Sequence, residues 1–136
     1  MILSNYAEDN NGLLYLSGAG WDAITARAPL EGGPQGAFAV IQGTLVIRLL
    51  FDITETGRDH TFAVAVIDED GREIGKVEGS VRVDRVPGLP TGWDQNVNIV
   101  IPLSGFPVPK PGLFAIKLQV DGQHLGDRPF RVIKGY

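Results

Sequence analysis

Cysteine is missing altogether from this 136-residue chain, which removes disulfide staples, thiolate metal sites and thiol nucleophiles and suits a reducing compartment. Helical patterning is missing too: no window keeps apolar residues at three- and four-residue spacing for three turns. The longest apolar tract, Ala37 to Ile53, is broken by Gln42, Gly43, Thr44, Arg48 and Asp52, so it reads as strand and no membrane partner is expected. The first ten residues carry no base and reach acids before any long apolar stretch, unlike a secretory leader, and a cytoplasmic location is expected. Basic clusters are scarce. Residues 1–68 hold three Arg and no Lys against eight acids, and the whole chain has a net charge of -4, so no nucleic-acid partner is expected either.

What the chain has is a succession of short runs with a two-residue period, bounded by Gly, Pro, Asn and Asp. Ile2 to Ala7 and Leu13 to Ser17 flank Asp9-Asn10-Asn11-Gly12, whose residue types tolerate positive φ, so the chain opens with a hairpin. Trp21 to Ala28 fits a single helical turn or a short edge strand, and Pro29 to Gly36 reads as a surface loop. Ala37 to Asp52 is a long strand bent or bulged at Gly43, with Leu45, Ile47 and Leu49 on one face. His60 to Asp68 is apolar on both faces and reads as a central strand, and Arg72 to Gly79 as a half-exposed or edge strand. Gln95 to Ile101 is half-buried. Pro102 to Gly112, with four Pro, is a connection between sheets, and Leu113 to Val120 sets Phe114, Ile116, Leu118 and Val120 on one face. Phe130 to Ile133 closes the fold. Residues 1–136 are thus expected to form one all-β domain, an antiparallel β-sandwich of about eight strands, long enough to bury roughly two-thirds of its unfolded surface.

The stretch Pro111-Gly112-Leu113-Phe114-Ala115-Ile116-Lys117-Leu118-Gln119-Val120-Asp121-Gly122, followed by Pro129-Phe130-Arg131-Val132, resembles the final strand pair of immunoglobulin-like domains. Phe114 stands where many such domains carry Tyr, which keeps the packing half of a tyrosine corner and removes its hydroxyl. With Leu14-Tyr15-Leu16-Ser17-Gly18-Ala19-Gly20-Trp21-Asp22 and Asp68-Glu69-Asp70-Gly71, the whole chain resembles a family of small bacterial proteins described as a domain of unknown function. That resemblance implies a bacterial, cytoplasmic, immunoglobulin-like β-sandwich and brings no substrate, partner or catalytic residue with it.

Five residues are candidates for ligand contact. Trp21 and Asp22, after two glycines, fit a stacking platform with a hydroxyl acceptor, or a plug at one end of the sandwich. Trp93 and Asp94 repeat the dipeptide in a loop expected to be exposed, and Phe106 sits at the apolar tip of the proline-rich connection. Asp68-Glu69-Asp70 offers oxygen ligands, but the run lacks calcium-loop spacing and Asp-Gly ends a strand as a turn. His60 and His124 have no short-spaced partner, so neither metal nor cofactor is expected. Ser4, Ser17, Ser80 and Ser104 lie outside any nucleophile-activating context, and Gly18-Ala19-Gly20 lacks a following helix for phosphate. The expectation is a non-enzymatic protein-interaction or structural module. It pairs with a protein partner or with itself, a homodimer first, through a strand edge or the Phe106–Val108 surface, a segment that fits equally a fold-back capping one end of the sandwich. The alternative is a small-ligand or carbohydrate-binding module using the loop aromatics.

Overall fold

Two tight turns set the frame, each needing positive φ at both central residues: Asn11 (53°) with Gly12 (82°), and Asp121 (51°) with Gly122 (79°). The first joins β1 (Ile2–Asn10) to β2 (Leu13–Ala19), the second β10 (Gly112–Val120) to β11 (Gln123–Lys134). The computed structural model describes residues 1–26 and 37–135, so the loop expected at Pro29 to Gly36 lies outside the described residues. Between the two hairpins run β3 (Ala23–Ala26), β4 (Ala39–Ile41), β5 (Thr44–Phe51), β6 (Arg58–Asp68), β7 (Glu73–Val83), β8 (Gln95–Pro102) and β9 (Phe106–Val108). A single 3-10 turn, Ile53–Glu55, is the one helical element among the described residues, and no helix there is long and apolar enough to cross a membrane.

The strands form a sheet of order β2-β1-β5-β8, a second of order β3-β11-β10-β6-β7, and the pair β4-β9. One core lies between the two larger sheets. Leu45, Ile47, Leu49 and Phe51 of β5 point into it, as do Phe114, Ile116, Leu118 and Val120 of β10 with Val64, Val66, Phe130 and Val132. β6 is central, between β10 and β7, and β7 is an edge, both as the residue pattern suggests.

The strand count is a correction: among the described residues eleven strands in three sheets replace about eight. Three causes account for it. The long strand from Ala37 divides into β4 and β5 at Gly43, where a Cβ would lie 2.8 Å from the Ser4 carbonyl and 2.9 Å from the Trp21 ring, so the backbone passes too close for any other residue. Of the two alternatives open for Trp21 to Ala28, Ala23–Ala26 takes the short edge strand, and it runs parallel to β11 in an otherwise antiparallel assembly. Finally, Pro102 to Gly112 is no bare connection. Its centre is β9, in which Pro107 pairs with Val40, a position a proline can hold in a two-stranded ribbon.

The first hairpin does not continue flat from β5. β1 meets β5 only through Ile2, Leu3 and Ser4, and the buried Ser4 hydroxyl then reaches the Tyr6 carbonyl (2.6 Å) and the Ser17 carbonyl (2.9 Å). The hairpin bends there and turns back across the outer face of the sheet, where Asn98 Nδ2 on β8 donates to the Gly12 carbonyl at 3.2 Å. That cover explains why Val46, on the outward face of β5, is buried although it stands apart from the core.

Candidate functional site

The best-defined polar constellation lies where β5 ends and β6 begins. His60 falls in phase with Val64 and Val66, so the pleat turns its ring inward, where it is 1% exposed and its centroid is 4.7 Å from that of Phe51. Nδ1 is 2.6 Å from Asp121 Oδ2, and Nε2 is 2.6 Å from the main-chain carbonyl of Glu55. A carboxylate and a carbonyl both accept, so both ring nitrogens can donate at once only as an imidazolium, the form this site favours. The bond to Asp121 and the bond to Glu55 raise the His60 pKa above its ordinary value against the opposing effect of burial. The same bond, with one from the Thr61 amide, lowers that of Asp121.

Each acceptor is itself fixed. Asp121 occupies the positive-φ turn between β10 and β11, and its amide donates to the Thr61 carbonyl at 2.8 Å. Glu55 closes a capping box in which Asp52 Oδ1 accepts from the Thr54 amide and Glu55 Oε1 accepts from the Asp52 amide. The imidazolium therefore ties together the 3-10 turn, β6 and the last hairpin. From the sequence alone His60 has no short-spaced partner, because Asp121 lies sixty-one residues along the chain. The signal that was present is the two-residue period of β6, which puts a histidine at a core position where it must find partners.

Beside this clamp a cleft of about 440 Å³ opens between the end of β5 and β11, lined by Leu49, Leu50, Phe51, Glu55, Arg58, Asp59, Val120, Asp121, Gln123 and Leu125.

The five residues singled out from sequence are not brought together. Trp21 is half-buried, its ring against Gly43 and its indole nitrogen shielded without a hydrogen-bond partner, so it packs as a plug at the edge of the core. Asp22 is exposed, and its main-chain carbonyl accepts from the Arg131 amide at 2.8 Å. Trp93 is 63% exposed, next to an exposed Asp94, on a loop beyond Gln95, which pairs with the far end of β5 at Phe51. Gly43 and Phe51 bound opposite ends of β5, roughly 26 Å apart at an extended rise, so the two tryptophans mark opposite ends of the molecule.

The Trp93 loop is braced: Arg85 donates from Nη1 to the Trp93 carbonyl (3.0 Å) and from Nη2 to the Pro90 carbonyl (2.9 Å). Gln95 adds a bond from each end of its amide, accepting from the Val86 amide and donating to the Asp84 carbonyl. Phe106 takes the second of the two arrangements open to its segment, the one that folds back onto the sandwich. It is half-buried, and a Cβ on Gly75 would collide with its ring; its neighbour Val108 is wholly buried, so this segment folds into the structure instead of presenting an apolar patch.

The apolar surface that is exposed lies on the first hairpin. Tyr6, Leu13 and Tyr15 share its outward face at 56%, 63% and 51% exposure, while Ala7 and Leu14 on the other face are half-buried. The two-residue turn makes Asn10 and Leu13 a hydrogen-bonded pair, so alternation points the main chain of Leu14 and Leu16 away from β1. Among the described residues no strand meets that edge.

Comparison with known proteins agrees with the resemblance seen in the sequence. Residues 1–133 match a family of unknown function (DUF6941), and the chain belongs to that family. No curated protein and no solved structure matches it.

Proposed function

We propose that this member of a family of unknown function is a non-enzymatic interaction module that self-associates as a two-fold dimer by pairing β2 with β2 of a second copy. The observation that carries the reading is the open edge of β2 at Leu14 and Leu16, bordered by the outward Tyr6, Leu13 and Tyr15. An unpaired strand edge is a template for strand addition, and antiparallel pairing of identical edges closes by two-fold symmetry. The exposed aromatic face supplies apolar area alongside the main-chain bonds. The non-enzymatic part is supported by how the reactive groups are employed: His60 holds fixed acceptors at both nitrogens, and the Ser4 hydroxyl is spent on main-chain carbonyls.

An immunoglobulin-like assignment of the sandwich is supported by connectivity. β5, β6, β7, β8, β10 and β11 follow the chain order of strands B, C, C′, E, F and G, with β5 beside β8 in one sheet and β7-β6-β10-β11 contiguous in the other.

Sedimentation equilibrium at micromolar concentration tests the proposal. The wild-type chain is expected at twice the monomer mass. Leu16→Pro removes an amide that faces away from β1 and is expected to give a monomer with an unchanged circular dichroism spectrum. A wild-type monomer overturns the reading.

The braced loop favours a second reading, in which Trp93 is a stacking platform for a flat apolar face such as that of a sugar, with Asp94 accepting from hydroxyls. A glycan array read with tryptophan fluorescence, compared with Trp93→Ala, decides it: a bound glycan that shifts emission in the wild type and is lost in the variant supports this use.

A further inference from the structure

The sandwich gapes along the side where β8 and β7 end their sheets. The Leu103 amide donates to the Gly43 carbonyl, so odd-numbered residues of this segment turn their main chain to β5, and Asn96, Asn98 and Val100 turn theirs away. Among the described residues no strand meets those N–H and C=O groups. The facing layer is uncovered at the same place. Val77 on β7 is 37% exposed, whereas its cross-strand partner Val64 on β6 is 2% exposed, so β8 covers β6 and stops short of β7. Val97 and Ile99 on the core face of β8, with Phe62 and Val81 opposite, pack against the core and are only half-buried. The floor is flat as well as apolar: the Phe62 ring lies across Gly79, where a Cβ would come within 2.5 Å of it, and the Phe106 ring lies across Gly75 and closes one end.

One extended segment satisfies both layers, bonding to β8 along its main chain and laying alternate side chains on Phe62, Val77 and Val81. We infer that this slot takes a short extended segment of a partner protein, uncharged, and apolar at every second position. Charge decides the class. The core-facing residues of β7 here are Gly75, Val77, Gly79 and Val81, while Lys76, Glu78 and Arg82 point to the other face of that sheet. The β8 lip runs Asn96, Val97, Asn98, Ile99, Val100, and Arg48 stands one strand away on β5, across from Asn98. A charged side chain turned into the slot would be buried without a partner. Shape excludes a second copy: paired through β8, it would press either its own β6 or the hairpin that crosses its β8 into β7, whereas a lone strand has no second layer. The slot lies at the opposite edge of its sheet from β2 and goes beyond self-association.

The test is selection of a displayed random heptapeptide library on the immobilised full-length chain, followed by amide hydrogen exchange with a synthetic peptide of the winning sequence. Enriched peptides are expected to be uncharged and to alternate apolar with polar residues. The amides of Asn96, Asn98 and Val100 are expected to exchange rapidly in the free chain and about tenfold more slowly with the peptide, while those of Val97 and Ile99, bonded to β5, change little. Val77→Glu, at a partly exposed side chain, and Asn96→Pro, which removes one edge amide, are each expected to cut retention about tenfold with an unchanged circular dichroism spectrum. Enrichment of nothing, enrichment of charged or proline-rich peptides, protection of the three amides in the free chain, protection at Leu14 and Leu16 instead, or undiminished retention by either folded variant overturns the inference. Neither substitution touches β2, so the particle mass of the same variants reports separately on self-association.

Discussion

His60 Nδ1 and Asp121 Oδ2 stand 2.6 Å apart, joining the start of β6 to the turn of the last hairpin across sixty-one residues of chain. The pair is one-sided: the histidine is buried and the carboxylate is 47% exposed. Solvent thus reaches the acceptor of a bond whose donor cannot leave.

Stability should depend on pH through this pair. The folded-state pKa of His60 lies above its ordinary 6.5, so its contribution is fully present below that value and is lost as pH rises through the raised pKa. Asp121 is lowered from 3.8, so its contribution is present above that value and is lost as pH falls through the lowered one. Urea midpoints measured across the range should be highest between about 4 and 6.5 and fall towards alkaline pH. In His60→Gln the alkaline decline should disappear. A wild-type midpoint that stays level or climbs above pH 6.5 would mean the ring is neutral.

Phe114→Ala should cost about 3 to 5 kcal/mol, because the ring is buried and stacks on its cross-strand partner Phe130 with centroids 5.4 Å apart. Urea melts give the figure directly. A loss under about 1 kcal/mol would mean that β10 turns its other face to the core.

Gly43→Val should destabilise by more than about 1 kcal/mol, since φ is 153° and the new Cβ meets both the Ser4 carbonyl and the Trp21 ring. Trp21→Leu in the same background should recover part of the loss by clearing the second contact. Additive losses in the double variant would place the strain elsewhere.

Much of the sandwich was legible because its signals are local. The two-residue period of β10 and the residue types at Asn11-Gly12 and Asp121-Gly122 specify facing and reversal without reference to the rest of the chain. What escaped was set by partners distant in sequence. Pro107 looks like a strand breaker until Val40 pairs with it, and Ala23–Ala26 has no period long enough to decide between an edge strand and a helical turn until β11 lies beside it. Of the candidate site residues, the exposure of Trp93 was readable from its loop, whereas the half-burial of Phe106 against Gly75 was not. The hairpin face shows only in the pairing of its two strands, which sets Tyr6, Leu13 and Tyr15 on one exposed face with Glu8 and Asn10.

The direct test of the dimer is amide hydrogen exchange at Leu14 and Leu16, whose main chain faces the open edge of β2. In a dilute sample, where chains are separate, both amides should exchange as fast as solvent-exposed groups. In a concentrated sample they should be protected, while the amides of Leu13 and Tyr15, already bonded to β1, should change little. Equal and rapid exchange at Leu14 and Leu16 in both samples would contradict pairing through this edge.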